Sequence, residues 1–306
     1  MSETRFNELR GEPVVYAIHR QERTFLPDRD HCPLDATRPG GPATEIPLAQ
    51  FEIVVFENRF PAFQAPHGAA EVVVYTDDHD SSLGALPLGR IEDLMWVWRD
   101  RYEELRARAD VEYVYIFENR GVEVGVTLHH PHGQIYGYPF LPPVAALEQA
   151  ADARLGECAV CALLRRELDS GRLLLENQDV AVYVPEAARW PYEAHIAMRE
   201  HRRSLLECEP RELRLLAEAL RALVRGYDAL FDRPLPYVMA VHQAPTGATD
   251  GAPAEGHLHI EFYPPLRTAD KLKFLAGSEQ GAGTFISDVL PEDAAERLRD
   301  AIARAR

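Results

Sequence analysis

LHHPHGQIY (residues 128–136) and HLHIEFYPP (residues 257–265) are two versions of one phrase, an H-x-H leading into an alternating strand, and they set the reading of the 306-residue chain. His130 and His132 precede His257 and His259 by 127 positions, Cys32 and Asp35 precede Cys158 and Cys161 by 126, and His79 precedes His201 by 122. Chance aligns one histidine with another easily. It does not easily align a C-x-x-(D/C), a histidine ahead of a long helical segment and an H-x-H after it, all in the same order. The chain reads as a duplication.

Outward from these landmarks, strand-like runs fall at 14–18, 51–58, 71–76, 111–119 and roughly at VGVTL and QIYGY on either side of the histidines. Residues 90–109 space Ile91, Leu94, Met95, Val97, Trp98, Tyr102 and Leu105 near a 3.6 period, which predicts a helix. The later half repeats the order, with LLLEN, VAVYVP, AHIAMRE, a helix over 211–230, YVMAVHQAP and HLHIEFYPP. The expected fold class is α+β, with two similar antiparallel-sheet halves, each carrying a covering helix and packed as one unit. Their boundary falls in a helical connection at 143–157, which gives halves of 1–145 and 146–306.

Composition narrows the partners. Against 33 Lys+Arg stand 49 Asp+Glu, a formal charge of −16 that repels a nucleic-acid backbone, while a few cations at one site still suffice for a small phosphorylated molecule. No run of about 18 apolar residues offers a membrane span, and MSETRFNELRGEP lacks the apolar stretch of a signal peptide, so a cytoplasmic location is expected. Four cysteines are too few for a disulfide scaffold.

Two of them form C-x-x-C. Cys158, Cys161, His201 and His257 supply the two thiolates and two imidazoles of a tetrahedral zinc shell; Cys32, Asp35, His79 and His130 supply a parallel set in which a carboxylate replaces one thiolate. The competing reading is buried thiols and surface histidines. A redox C-x-x-C is less expected, because no Trp-Cys or Pro flank marks it. On a strand, His132 and Gln134 share a face. A neutral imidazole with one N–H tied to a backbone carbonyl is a good nucleophile toward phosphorus, and a glutamine amide can donate to a phosphoryl oxygen as charge builds there. Gly133 is expected to let a phosphate approach the backbone.

The string FENRGVEVGVTLHHPHGQIYGYPF (117–140) resembles the active-site segment of galactose-1-phosphate uridylyltransferases, a branch of the histidine-triad superfamily. Further similarity lies in IHRQER, CPLD, FENRFP, HLHIEFYPPLR, KLKFLAGSE and LPEDAAERLR, nearly the whole chain. The resemblance implies a ping-pong exchange of UMP between UDP-glucose and galactose 1-phosphate through His132, with Gln134 and Asn119 on the phosphates. Leu34, Phe56 and Asn58 would meet the nucleoside, and Arg20 and Arg23 would reach the site from a partner subunit of a homodimer. Lys273, Phe274, Ser278 and Glu279 fall in the segment that contacts the sugar phosphate. It also implies zinc, one or two ions per chain, with a second ligand set in some members that lands on Glu148, His242, His257 and His259, where iron is an alternative.

Both second-site sets claim His257, and the internal repeat favours the cysteine set. Two departures stand out: Asp35 replaces a cysteine, and Val126, Thr127, Leu128 and His129 replace a small polar stretch ending in Asn-Pro, with Thr127 at a substrate-contacting position. An adenylyl-specific relative, acting on ADP-sugars or dinucleoside polyphosphates, and a non-catalytic nucleotide-binding protein are the rival readings.

Overall fold

The structure, a computed structural model, describes residues 2–246 and 256–306. A hairpin of β1 (Glu3–Asn7) and β2 (Glu12–Tyr16) stands apart from the main sheet. The first half then supplies β3 (Val54–Glu57), β4 (Ala69–Val74), β5 (Tyr113–Arg120) and β6 (His132–Tyr138). The second supplies β7 (Leu173–Glu176), β8 (Val180–Tyr183), β9 (Ala194–Met198), β10 (Tyr237–His242) and β11 (His259–Tyr263). A short β12–β13 hairpin (Leu266–Thr268, Lys271–Leu272) follows.

These nine strands form one sheet in the order β3-β4-β6-β5-β10-β11-β9-β8-β7. Read outward from its middle, the order is the same on both sides: β5, β6, β4, β3 against β10, β11, β9, β8. The two halves therefore fuse about a local two-fold through the antiparallel β5–β10 pair, Arg120 opposite Tyr237 through Ile116 opposite Val241. The duplication and the α+β class are as the sequence implies. The fusion of both sheets into one is what it does not reveal.

One face of the sheet is covered by α1 (Leu88–Arg106) and α4 (Pro210–Leu230), with α5 (Pro291–Arg304) packed on α4. α1 turns Ile91, Leu94, Met95, Trp98, Tyr102 and Leu105 inward, each large apolar side chain contributing about 1.5–3 kcal/mol on burial. α4 opens with Pro210 at its first turn and a reciprocal cap between Glu209 and Glu212, which satisfies otherwise orphaned backbone donors. Strand alternation sends Val73, Tyr75, Ile116, Ile135, Met239 and Ile260 to this covered face. It leaves His132, Gln134, His242, His259 and Glu261 on the other. α2 (Pro143–Leu155) and α3 (Ala159–Glu167) carry the chain between halves, and Cys158 caps α3 by accepting from the Cys161 amide.

Several local expectations are corrected. Strand structure ends at Tyr16, and Ile18–Glu22 turns as a 3-10 helix. VGVTL is a loop, because Gly121 (φ 94°) and Gly125 (φ 80°) take left-handed conformations that break a strand.

The α4–α5 contact is tight at Gly226. A Cβ there would lie 2.3 Å from Ile302 Cγ1. Gly226→Ala is expected to destabilise the protein by about 1–3 kcal/mol through overpacking, despite alanine's better helix propensity. Thermal melting checks this; an unchanged or raised Tm would contradict the packing argument.

Candidate active site and metal centres

His132 opens β6 at the end of the uncovered face. Its Nδ1 lies 2.7 Å from the carbonyl oxygen of His130, so the N–H there donates to the backbone and Nε2 carries the free lone pair. Burial pushes the His132 pKa down, the bond to His130 only partly opposing, so the ring stays neutral and nucleophilic near pH 7. Two residues on, Gln134 Oε1 accepts from Asn58 Nδ2 at 3.1 Å and from the Tyr136 hydroxyl at 3.3 Å. With its oxygen engaged twice, the Gln134 amide N–H₂ is left to donate to a ligand.

His132 lies between two concavities. The smaller, about 100 Å³, is walled by Leu34, Phe56, Val72 and Leu128, with Asn58, Thr127 and Gln134 as polar points. Its apolar wall is a small core of Cys32, Leu34, Ile46, Val72 and Val74, which ties the loop after β2 to the first sheet. The larger, about 510 Å³, holds Asn119, Ser81, Ser82, His129 and Arg233. Ser81, Ser82 and Arg233 carry no sequence signal; they arrive on loops from distant parts of the chain.

Arg23 lines the smaller cavity of its own chain, and Arg20 Nη1 donates to the Tyr136 hydroxyl at 2.8 Å. Within one chain, Arg23 thus reaches this cavity and Arg20 a tyrosine that bonds Gln134. Among the described residues neither arginine pairs with a carboxylate, which leaves two cations for phosphate. Lys273, Phe274, Ser278 and Glu279 lie elsewhere: none lines either cavity around His132. Lys273 Nζ donates to Glu279 Oε1 at 3.0 Å, the Ser278 hydroxyl donates to the Thr284 carbonyl, and Phe274 is 72% exposed.

Both expected ligand sets assemble. In Cys32, Asp35, His79 and His130 the potential donor atoms lie within 4.8 Å of one another, and so do those of Cys158, Cys161, His201 and His257. Asp35 Oδ1 sits 2.8 Å from His79 Nδ1 and 2.9 Å from His130 Nδ1. Burial works against its charge, but both imidazoles hold the carboxyl below its ordinary pKa. Behind the ring, His130 Nε2 meets the Thr76 carbonyl at 2.7 Å, as His257 Nε2 meets that of Met198 at 2.9 Å. Each backbone contact fixes the tautomer that leaves Nδ1 for a ligand.

His257 stands with the cysteines rather than with the other set. Its Nδ1 lies 3.3 Å from Cys161 Sγ, while Glu148, His242 and His259 cluster separately without it.

The second half repeats part of this geometry in different surroundings. His259 Nδ1 faces the His257 carbonyl at 2.7 Å, as His132 faces His130. Its Nε2, however, lies 3.5 Å from Glu261 and 3.9 Å from Glu148. Burial opposes protonation, yet these carboxylates push the His259 pKa up to about 9. Glu261 occupies the place of Gln134 (134 + 127 = 261). His259 Nε2 therefore faces carboxylates where His132 Nε2 is free.

The chain matches the description "Galactose-1-phosphate uridyl transferase, N-terminal domain" over residues 57–142 and the C-terminal domain of the same family over 153–305. It is 38% identical to the galactose-1-phosphate uridylyltransferase of Thermotoga maritima, an alignment covering 98% of each chain. A solved uridylyltransferase structure superposes with a TM-score of 0.87 at 31% identity over 100% of both chains. An ADP-glucose phosphorylase from Arabidopsis thaliana shares the fold, with a TM-score of 0.76 at 20% identity over 98% of this chain and 99% of that one.

Proposed function

Because the chain belongs to the galactose-1-phosphate uridylyltransferase family, we propose that it moves a uridylyl group between UDP-glucose and galactose 1-phosphate through His132. The observation that carries this reading is the neutral His132 ring, tethered at Nδ1 and free at Nε2 between two cavities. Nε2 attacks the α-phosphorus of UDP-glucose, the bond to the bridging oxygen breaks, and glucose 1-phosphate departs. A phosphate oxygen of galactose 1-phosphate then attacks the same phosphorus and frees the histidine as UDP-galactose forms. A sugar phosphate leaves without protonation, so a glutamine suffices where a hydrolase would want a general acid. Gln134 and Asn119 donate to the phosphoryl oxygens, and Arg20 and Arg23 balance the diphosphate charge.

Zinc fits Cys158, Cys161, His201 and His257 on donor chemistry, and the Asp35 set offers sulfur, oxygen and two nitrogens for a second ion. Glu148, His242 and His259 offer the harder donors suited to iron. Bound metal would supply rigidity, and at the first site it would hold His130, whose carbonyl orients the nucleophile.

A homodimer accounts for the 273–279 segment. Exposed Phe274, Ile286 and Leu290 lie at or near a segment whose family role is sugar-phosphate contact, and a second copy could bring it to a neighbouring His132. No helix among the described residues is long and apolar enough to cross a membrane, and a cytoplasmic setting suits sugar-nucleotide substrates.

Intact-protein mass spectrometry without acid quenching tests the reaction. Brief incubation with UDP-glucose should add one uridylyl mass, discharged by galactose 1-phosphate. An adduct from ADP-glucose instead would move the assignment to an adenylyl enzyme, and no adduct from either would refute nucleotidyl transfer.

A further inference from the structure

Gly133 follows the nucleophile on β6 and faces the helix-covered side. A Cβ at that position would lie 2.2 Å from the Tyr75 hydroxyl oxygen and 2.9 Å from the Phe117 carbonyl oxygen. The expected reason for this glycine, phosphate access to the backbone, gives way to another: the space is filled by a tyrosine hydroxyl from beneath. Tyr75 is fully buried, and its backbone N–H donates to Pro131 at 3.2 Å, so it holds the strand on both sides of His132.

Glu118 lies on the same covered side and is 4% exposed. Its Oε1 accepts from the Tyr237 hydroxyl at 3.1 Å. Its Oε2 and the Tyr75 hydroxyl are both buried without a well-formed hydrogen bond, although the two groups are near enough to influence each other's ionisation. Burial raises the Glu118 carboxyl to about 7 against the pull of Arg120. A buried polar group without a good partner costs about 1–3 kcal/mol. A phenylalanine and a leucine would fill the volume without that cost. Glu118 also borders the cavity that holds Asn119 and His132.

We propose that Tyr75 and Glu118 are positioning residues for the nucleophile: together they pin the His132–Gly133 backbone from below, while the His130 carbonyl fixes the ring from above. The kinetic part of this inference rests on His132 being the group that carries the nucleotide. Misplacing a reacting atom by about 1 Å can cost a hundredfold in rate, so a prop one residue away has leverage.

The test uses the full chain with Tyr75→Phe and Glu118→Gln, both near-isosteric. Each is expected to lower kcat for uridylyl transfer by about tenfold or more, with KM within twofold and Tm unchanged or raised. Gly133→Ala should lose more, and adding Tyr75→Phe should restore part of it, because the closest clashing atom is then gone. Wild-type kcat in both single variants, or losses of kcat that track losses of Tm, would overturn the proposal. A readout independent of substrate is the ¹⁵N spectrum of the His132 imidazole: its resonances should move in Tyr75→Phe, and unmoved resonances would overturn the positioning role. Moved resonances in a protein that takes up no uridylyl group would sustain the prop and refute the reaction instead.

Discussion

His132→Ala is expected to abolish nucleotide transfer, lowering kcat by about 10⁴-fold or more, while UDP-glucose still binds with near-normal affinity. The magnitude follows from covalent participation, since neither His130 nor His259 is free to take over. His130 is buried with Nδ1 on Asp35 and Nε2 on the Thr76 carbonyl, and His259 is held among carboxylates on the far half. The cavity walls do not depend on the ring, so a binding measurement by calorimetry separates chemistry from affinity. A variant retaining more than a percent of wild-type turnover would mean that the nucleotide is carried elsewhere or transferred directly.

The second large effect is structural. Removing metal from Cys158, Cys161, His201 and His257, by a strong chelator or by Cys161→Ala, is expected to lower Tm by many degrees. In small zinc peptides such binding is worth about 10–16 kcal/mol, and the site here ties α3 to the loops before α4 and β11. Without an ion, burial and the neighbouring Cys158 push the Cys161 thiol up to about 12. Loading must therefore expel protons, and affinity falls as pH drops. Metal analysis alongside melting decides the matter. Protein that contains no zinc as isolated, and melts identically after Cys161→Ala, would leave the cluster as packed thiols.

Much of this was legible in residue order because the signals are local or repeated. Helix α1 shows itself through the spacing of Ile91, Leu94, Met95 and Trp98, and the two ligand sets through a C-x-x-(D/C) recurring ahead of an H-x-H. His132 and Gln134 share a face because strands alternate. What the residues do not carry is long-range placement. Nothing in YVYIFENR or YVMAVH says that the two strands pair with each other, since each is mostly apolar on its helix-covered face and offers the same backbone ladder to any neighbour. The placement of His257 is open in the sequence for the same reason: H-x-H lies within reach of two ligand sets, and only the fold brings Cys161 Sγ to 3.3 Å from its Nδ1. The constraint on Gly133 is silent in the sequence because Tyr75 comes beside it only when β4 pairs with β6.

The β5–β10 seam also has a cost during synthesis. β5 is complete at Arg120, but its partner begins at Tyr237, 117 residues later (237 − 120). At about 5–20 residues per second, the ribosome needs roughly 6–23 s to deliver it. Throughout that interval the nascent first half exposes the Ile116–Arg120 edge that β10 will later cover, open to any neighbouring chain. The step most vulnerable to crowding on polysomes is therefore this wait, and slower elongation between residues 121 and 236 would lengthen it.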